Sequence, residues 1–141
     1  MRRVTQILAL TFLMLIPATG VPADGCPTIS GKAYFDFGRT AQGMANVVYD
    51  GQKMLVPFRA IDYSGSDIFF EWNFPQGDVT IVEHATNFIP IGPTGVVGVF
   101  DTSLDVIGGG SGMWQWTGTA NGAGGLAVIK SLSGTLCIDS G

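Results

Sequence analysis

Hydrophobic and polar residues alternate along most of the chain beyond residue 28, which is the period of a β-strand that buries one face. Segment 66–74 alternates in this way, and one of its faces collects Ile68, Phe70, Trp72 and Phe74. Segment 113–120 repeats the pattern and places Trp114 and Trp116 on one face. No window combines helical spacing with freedom from glycine and β-branched residues, so the pattern predicts strands and no substantial helix.

Turn residues separate these alternating segments. Asp50-Gly51 stands between segments 44–49 and 52–61, and this dipeptide supplies the positive φ angles of a two-residue hairpin. We therefore expect the two segments to be antiparallel neighbours. Pro57 interrupts the second arm, which indicates an edge position, a bulge or a strand end because proline has no N–H group.

About eight strands follow from this pattern, and their short connections leave no room for crossover helices. They are segments 29–37, 44–49, 52–61, 66–74, 79–91, 96–107, 113–120 and 126–138. The sequence therefore predicts an all-β fold, an eight-stranded antiparallel barrel of the calycin-like kind, and a β-sandwich is the alternative. Closure into a barrel also removes the exposed sheet edges that a small secreted protein must otherwise protect.

The first 23 residues have the features of a secretory signal peptide. Two arginines precede an apolar run over residues 7–16, and a proline and small residues follow. The run is shorter than the roughly 20 residues of a membrane-spanning helix, and no later segment is long and apolar enough to span. We expect cleavage after Ala23, with Gly20 as the second choice. This leaves residues 24–141 as a single secreted or periplasmic domain.

The charge balance argues against nucleic acid as a partner. Loss of two arginines with the signal peptide leaves five basic residues against eleven acidic ones, a net charge of −6. Nucleic acids and anionic membrane surfaces both require a basic patch. The remaining basic residues are scattered along the sequence and form no such patch: Lys32, Arg39, Lys53, Arg59 and Lys130.

The two cysteines lie at opposite ends of the predicted domain, Cys26 near its start and Cys137 near its end. Export would place them where disulfides persist, so we expect a bridge between them. Such a bridge requires the first and last strands to lie side by side. The alternative is lipidation of Cys26, but Ala23 and Asp24 match poorly the leucine and small residue that usually precede a lipidated cysteine.

The glycine-rich run from Asp105 to Gly122 raises the question of a phosphate-binding loop. Such a loop needs a helix after the glycines so that amide groups point at the anion, and its P-loop form needs a lysine followed by serine or threonine. Here an alternating β-pattern follows, and the next lysine is Lys130. We therefore expect residues 108–112 to form a tight connection between two strands.

The order of residues around this run resembles one segment of the allene oxide cyclase and dirigent-like barrel superfamily. There a strand ends in isoleucine, a Gly-Gly-Thr-Gly turn follows, and an aromatic residue leads to a second glycine and a final Gly-Thr strand. The matching positions here are Ile107, Gly109, Gly110, Ser111, Gly112, Trp114, Gly118, Gly134 and Thr135. The resemblance is strongest over residues 95–137. The chain departs from the pattern by having Ser111 for threonine, Trp114 for phenylalanine and Met113 for a frequent basic residue.

The resemblance implies an eight-stranded barrel with a largely apolar lumen, no cofactor and, in many members, a trimer. Enzymes of this superfamily cyclise or steer small reactive molecules by shape and a few polar groups. A cofactor-free cyclase or isomerase activity is therefore an expectation that comes from the resemblance alone. Many bacterial members are exported proteins with no assigned activity.

The polar residues show no recognisable catalytic arrangement, so no catalytic residue is assigned. His84 is the only histidine, and with both cysteines expected in a bridge too few ligands remain for a zinc site. Glu83 precedes it, but adjacent strand residues point to opposite faces and do not easily form a dyad. Asp101, Ser103 and Asp105 share one face, which indicates the solvated side of a strand. The alternative for these three is a carboxylate pair for acid–base work or a calcium site.

The aromatic residues are better candidates for a binding site. Five of them share the apolar faces of two predicted strands: Phe70, Trp72, Phe74, Trp114 and Trp116. Such rings either fill a barrel core or line an apolar pocket. The first hypothesis of function is an exported barrel that binds a small hydrophobic molecule in its lumen. The alternative is a structural or self-associating extracellular protein, which predicts a filled core and apolar residues on the outer face.

Overall fold

The computed structural model describes residues 25–36, 38–84, 89–91, 97–121 and 125–139. The predicted signal peptide, residues 1–23, lies outside these ranges. The described residues form nine β-strands: β1 (Thr28–Asp36), β2 (Gln42–Tyr49), β3 (Gln52–Ser64), β4 (Asp67–Phe74), β5 (Gly77–His84), β6 (Ile89–Ile91), β7 (Val97–Gly108), β8 (Gly110–Asn121) and β9 (Leu126–Ile138).

The strands form one antiparallel sheet that closes on itself. The order of neighbours is β5, β4, β3, β2, β1, β9, β8 and β7, and β5 also pairs with β7. This pairing closes an eight-stranded ring, which confirms the predicted antiparallel barrel and excludes the β-sandwich. No helix in the described ranges is long and apolar enough to cross a membrane.

Segment 79–91, predicted as one strand, contains the two elements β5 and β6. Both pair with β7, but β6 is displaced by one residue from the register that β5 sets. Glu83 lies opposite Leu104, whereas Ile89 lies opposite Val99. The intervening residues 85–88 lie outside the described ranges. Strand β6 therefore follows β5 along the same side of β7.

The hairpin between β2 and β3 has the predicted two-residue turn. Asp50 and Gly51 have φ angles of 52° and 80°, and Tyr49 lies opposite Gln52. Because both central residues have positive φ, the turn matches the twist of the two flanking strands. Pro57 lies inside β3, just before the first residue of β3 that pairs with β4. The proline therefore lies outside the ladder between those two strands, as a residue without an N–H group should.

The glycine-rich run forms a tight connection between β7 and β8, as predicted. Gly109 alone separates the two strands and has a φ angle of 76°. A Cβ atom at this position would overlap the carbonyl oxygen of Asp78, so a larger residue does not fit without a backbone shift. The Gly109 carbonyl accepts a hydrogen bond from the Asp139 N–H at 2.9 Å. The connection therefore also holds the end of β9.

Cys26 and Cys137 form a disulfide, with their Cα atoms 4.9 Å apart. The first and last strands pair directly, with Ile29 opposite Gly134. Both observations confirm the predicted bridge between neighbouring termini. In the chain-entropy model, a loop closed by cysteines 111 positions apart stabilises the fold by roughly 5 kcal/mol. A disulfide of this kind is compatible with an oxidising, extracellular compartment.

Candidate functional site

The interior of the barrel is lined by aromatic side chains. All five residues predicted to share apolar faces lie there, and each is buried: Phe70, Trp72, Phe74, Trp114 and Trp116. Alternation along β4 and β8 places them inside, because every second residue of a barrel strand faces the lumen. Phe35 and Phe58 join them from β1 and β3.

These rings contact one another across the lumen. Phe58 stacks on Trp72 with ring centroids 4.2 Å apart and an interplanar angle of 9°. Trp72 meets Trp114 edge to face at 5.1 Å, and Phe70 meets Trp116 edge to face at 5.6 Å. Trp72 and Trp114 have no exposed surface. Contacts at these distances indicate a filled lumen at the level of the tryptophans.

Glycines on the inner face make room for these rings. Gly43 on β2 lies opposite Phe58, and a Cβ atom at Gly43 would overlap the Phe58 ring. Gly134 on β9 lies opposite Trp114, and a Cβ atom there would overlap the Trp114 backbone and Cβ. A side chain at Gly43 would compete with the Phe58 ring, and one at Gly134 would collide with the Cα and Cβ atoms of Trp114. The aromatic cluster and the inward glycines are therefore complementary parts of one packed interior.

Two polar atoms within this interior have no hydrogen-bond partner in the described part of the chain. They are the Nε1 atoms of Trp72 and Trp114. A buried donor without a partner costs about 1 to 3 kcal/mol relative to a satisfied one. The surroundings of these two N–H groups are thus apolar, whereas the third interior tryptophan, Trp116, has a hydrogen-bond partner in Glu83.

Glu83 is the functional candidate that the sequence analysis did not assign. It lies on β5 between Ile68 of β4 and Leu104 of β7, whose side chains face the lumen. Its Oε2 atom accepts a hydrogen bond of 2.8 Å from Trp116 Nε1. Burial raises the pKa of the Glu83 carboxyl, and the hydrogen bond from Trp116 opposes this rise to a smaller extent. The barrel therefore holds a hydrogen-bonded carboxyl group beside its aromatic cluster.

His84 points to the outside, as expected for the residue next to Glu83. Its Nδ1 atom lies 3.1 Å from an oxygen of Asp67, and its Nε2 atom lies 3.7 Å from an oxygen of Asp105. Asp101 and Asp105 also face outwards from β7, which agrees with the solvated face predicted for them. Among the described residues, no group of three or more His, Cys, Asp or Glu is arranged to hold a metal ion.

The outer surface of β1, β2 and β3 carries apolar side chains and two lysines, with Asp36 and Asp62 toward the strand ends. Across these strands, Tyr34 lies beside Met44 and Met44 beside Pro57, while Val48 lies beside Lys53. We call the following exposed side chains the lysine face: Lys32, Tyr34, Met44, Val48, Lys53 and Leu55. Neither lysine forms an ion pair with a residue that the structure describes. Arg59 also points outwards on β3, but it is paired with Glu71 at 2.8 Å.

The opposite side of the barrel is apolar and acidic. Strands β4, β5, β7 and β8 contain no lysine or arginine. We call the following side chains, which reach the outer surface there, the aspartate face: Asp67, His84, Asp101, Asp105, Ile107 and Met113. Met113 lies directly opposite Asp105 across β7 and β8. The two faces thus carry charges of opposite sign around exposed apolar residues.

Two open grooves of the part of the chain that the structure describes lie on the outer surface of β7, β8 and β9, at the border of the aspartate face. One, of about 520 Å³, is lined by residues that include Val99, Asp101, Thr117, Thr119 and Lys130. The other, of about 530 Å³, is lined by residues that include Met113, Gln115, Ser133 and Thr135. Apolar side chains contribute to both grooves, Val99 to the first and Met113 to the second. Both grooves are open to solvent, so neither has the enclosed form of a typical small-molecule site.

No family model, curated protein or solved structure matches this chain. The resemblance to the allene oxide cyclase superfamily therefore stays an expectation from residues 95–137. Function has to be inferred from the interior and the outer surface of the barrel.

Proposed function

We propose that this protein acts through the outer surface of a filled barrel, as a self-associating structural protein outside the cytoplasm. The observation that carries the proposal is the packing of the interior rings, with Phe58 stacked on Trp72 at 4.2 Å and Trp72 in contact with Trp114. A ligand in the lumen at that level would have to displace these rings. The outer surface, in contrast, offers large apolar side chains to a partner.

The exposed apolar residues support this proposal. Leu55 is 61% exposed and Tyr34 is 62% exposed. Single exposed apolar residues are ordinary, but a contiguous patch on a small domain is typical of an interaction site. The disulfide and the predicted signal peptide support a location where such a protein would act outside the cell or in the periplasm.

Two measurements on the exported protein test this proposal. Tryptophan fluorescence is titrated with a panel of small apolar molecules, and sedimentation equilibrium gives the mass as a function of protein concentration. We expect no ligand to change the emission of the buried tryptophans, and we expect the mass to rise with concentration. A monomer at all concentrations would overturn the proposal, and so would saturable quenching by a ligand at stoichiometric amounts.

A second candidate function is binding of a small apolar molecule inside the barrel. The unpaired N–H groups of Trp72 and Trp114 favour it, because a ligand with a hydrogen-bond acceptor would satisfy them. The same fluorescence titration tests this candidate. Saturable quenching, together with a rise in thermal stability on ligand addition, would support it over the first proposal.

A further inference from the structure

We propose that copies of this chain associate head to tail, with the lysine face of one copy on the aspartate face of the next. The inference rests on the proposed self-association and names the two surfaces that carry it. Each surface combines exposed apolar side chains with charges of one sign. The occupant of each face is therefore a second copy of this chain.

The two faces match in chemistry. On the lysine face, the row that runs from Lys32 through Asn46 to Leu55 lies next to the row of Tyr34 and Met44. On the aspartate face, Asp105 lies beside Met113, and Ile107 is exposed on the same strand as Asp105. Apolar residues can thus meet apolar residues while lysines meet aspartates. Such complementarity guides association and rejects other orientations.

The net charge of the protein favours the head-to-tail contact over contacts between two copies of the same face. A chain with a net charge of −6 after signal removal repels its own copies, and contact between two aspartate faces would add to that repulsion. Contact between two lysine faces would bring Lys32 and Lys53 against their own counterparts. The head-to-tail contact is the arrangement that sets Lys32 and Lys53 against Asp101 and Asp105. Opposite charges then offset the overall repulsion.

The position of the faces predicts the form of the assembly. The lysine face centres on β2 and the aspartate face on β7, and these strands are four positions apart in either direction around the ring of eight. The faces therefore lie on opposite sides of the barrel. A head-to-tail contact between opposite sides does not return to its start within a few copies, so it builds open chains of increasing length.

Two charge-reversal variants test the orientation. The variant K32E/K53E loses the lysine face and keeps the aspartate face. The variant D101K/D105K loses the aspartate face and keeps the lysine face. The control R39E/K130E changes the net charge as much as K32E/K53E does, at basic residues that belong to neither face, and R39E alone is the control that leaves the groove shared by Lys130 and Asp101 unchanged. Circular dichroism and thermal unfolding show whether each variant is folded as the wild type is.

Sedimentation of these proteins gives results that separate the hypotheses. We expect the wild type and the controls to form a concentration-dependent series of species. Each reversal variant alone should associate at least about tenfold more weakly, and an equimolar mixture of the two should associate again. The mixture recovers because each variant supplies the face that the other lacks.

The contrary outcomes are also distinct. A monomeric wild type would overturn both the self-association and the orientation. Undiminished association of D101K/D105K alone would show that the lysine face binds its own copy, which overturns the orientation and leaves self-association intact. An equimolar mixture of the two reversal variants that fails to associate would also overturn the orientation and leave self-association intact. If the wild type stays monomeric but binds anionic lipid vesicles through Lys32 and Lys53, the partner is a membrane surface and the proposal is wrong.

Discussion

Strand β3 shows how differently the two sides of the barrel wall are used. Phe58 faces inwards, is 2% exposed and stacks on Trp72. Leu55, three residues earlier on the same strand, faces outwards and is 61% exposed. The inner side chain is held by packing against other rings, whereas most of the outer one is exposed to solvent. The core therefore accounts for Phe58, and the proposed surface role gives a reason for Leu55 beside its apolar neighbours.

The strongest test of this contrast is truncation on each side of β3. Phe58→Ala removes a ring that contacts four other aromatic residues, and we expect it to lower the free energy of unfolding by about 3 to 5 kcal/mol. The matched control Leu55→Ala should change it by less than about 0.5 kcal/mol. Chemical denaturation measures both. Equal losses would mean that β3 does not divide an inner from an outer side in this way.

Addition of a methyl group inside the barrel tests whether the interior is full. A Cβ atom at Gly43 would overlap the Phe58 ring, so Gly43→Ala should lower the free energy of unfolding by about 1 to 3 kcal/mol. A substitution at Gly51 would not be a suitable control, because its positive φ angle would add backbone strain to the effect of the added methyl group. The control is Gln42→Ala, the exposed neighbour on the same strand. A neutral effect of Gly43→Ala would show that Phe58 has free space to move into.

The inner side could be predicted well from the sequence, since alternation is a local property. The period of two placed Phe70, Trp72 and Phe74 on one face, and all three are inside. The Asp50-Gly51 turn could be predicted because its chemistry lies in two adjacent residues. The pairing of Cys26 with Cys137 followed from their being the only two cysteines of a chain with a predicted signal peptide.

Other features depend on contacts that a linear pattern does not contain. The register of β9 shifts between Ile129 and Leu132, so the inward positions change from odd to even numbers there. The inward position of Glu83 could have been predicted from the sequence, because it continues the alternation of Val79 and Ile81, which lie four and two residues earlier on β5. A charged residue is more often found on the solvated face of a strand, so this position was not assigned to the interior. The lysine face was not visible either, since Lys32 and Lys53 come from β1 and β3, which lie on either side of β2 only once the register of these strands is known.

The inner carboxyl group gives the third test, which depends on pH. Because burial raises the pKa of Glu83 in the folded state, the unfolded chain releases this proton first as pH rises. The stability that the protonated Glu83 contributes is fully present below the ordinary glutamate pKa. It is lost as the pH rises through the higher pKa that Glu83 has in the folded state. Glu83→Gln keeps an acceptor for Trp116 and removes the titration.

We therefore expect Glu83→Gln to match the wild type at about pH 4 and to exceed it at about pH 7, by on the order of 1 kcal/mol. Denaturation curves at the two pH values measure the difference. A variant that is less stable than the wild type at neutral pH would show that the ionised carboxylate, not its neutral form, suits the interior.

The outer side gives the smallest effect on stability and a distinct effect on association. Replacement of Leu55 and Tyr34 by serine should change the free energy of unfolding by less than about 0.5 kcal/mol for each residue, because both are exposed. The same double variant should weaken self-association at least about tenfold, because it removes apolar area from the lysine face. Sedimentation equilibrium and denaturation are compared on one preparation. Unchanged association would show that the contact lies elsewhere on the barrel.

Cross-linking between copies tests the central claim most directly. A mixture of ¹⁵N-labelled and unlabelled protein is treated with a carbodiimide, which joins lysines to carboxylates in direct contact, and linked peptides are identified by mass spectrometry. We predict peptides of mixed isotope content that join Lys32 or Lys53 of one copy to Asp101 or Asp105 of another. Links from these lysines to Asp36 or Asp50 of another copy would contradict the account, and so would a complete absence of mixed-isotope links.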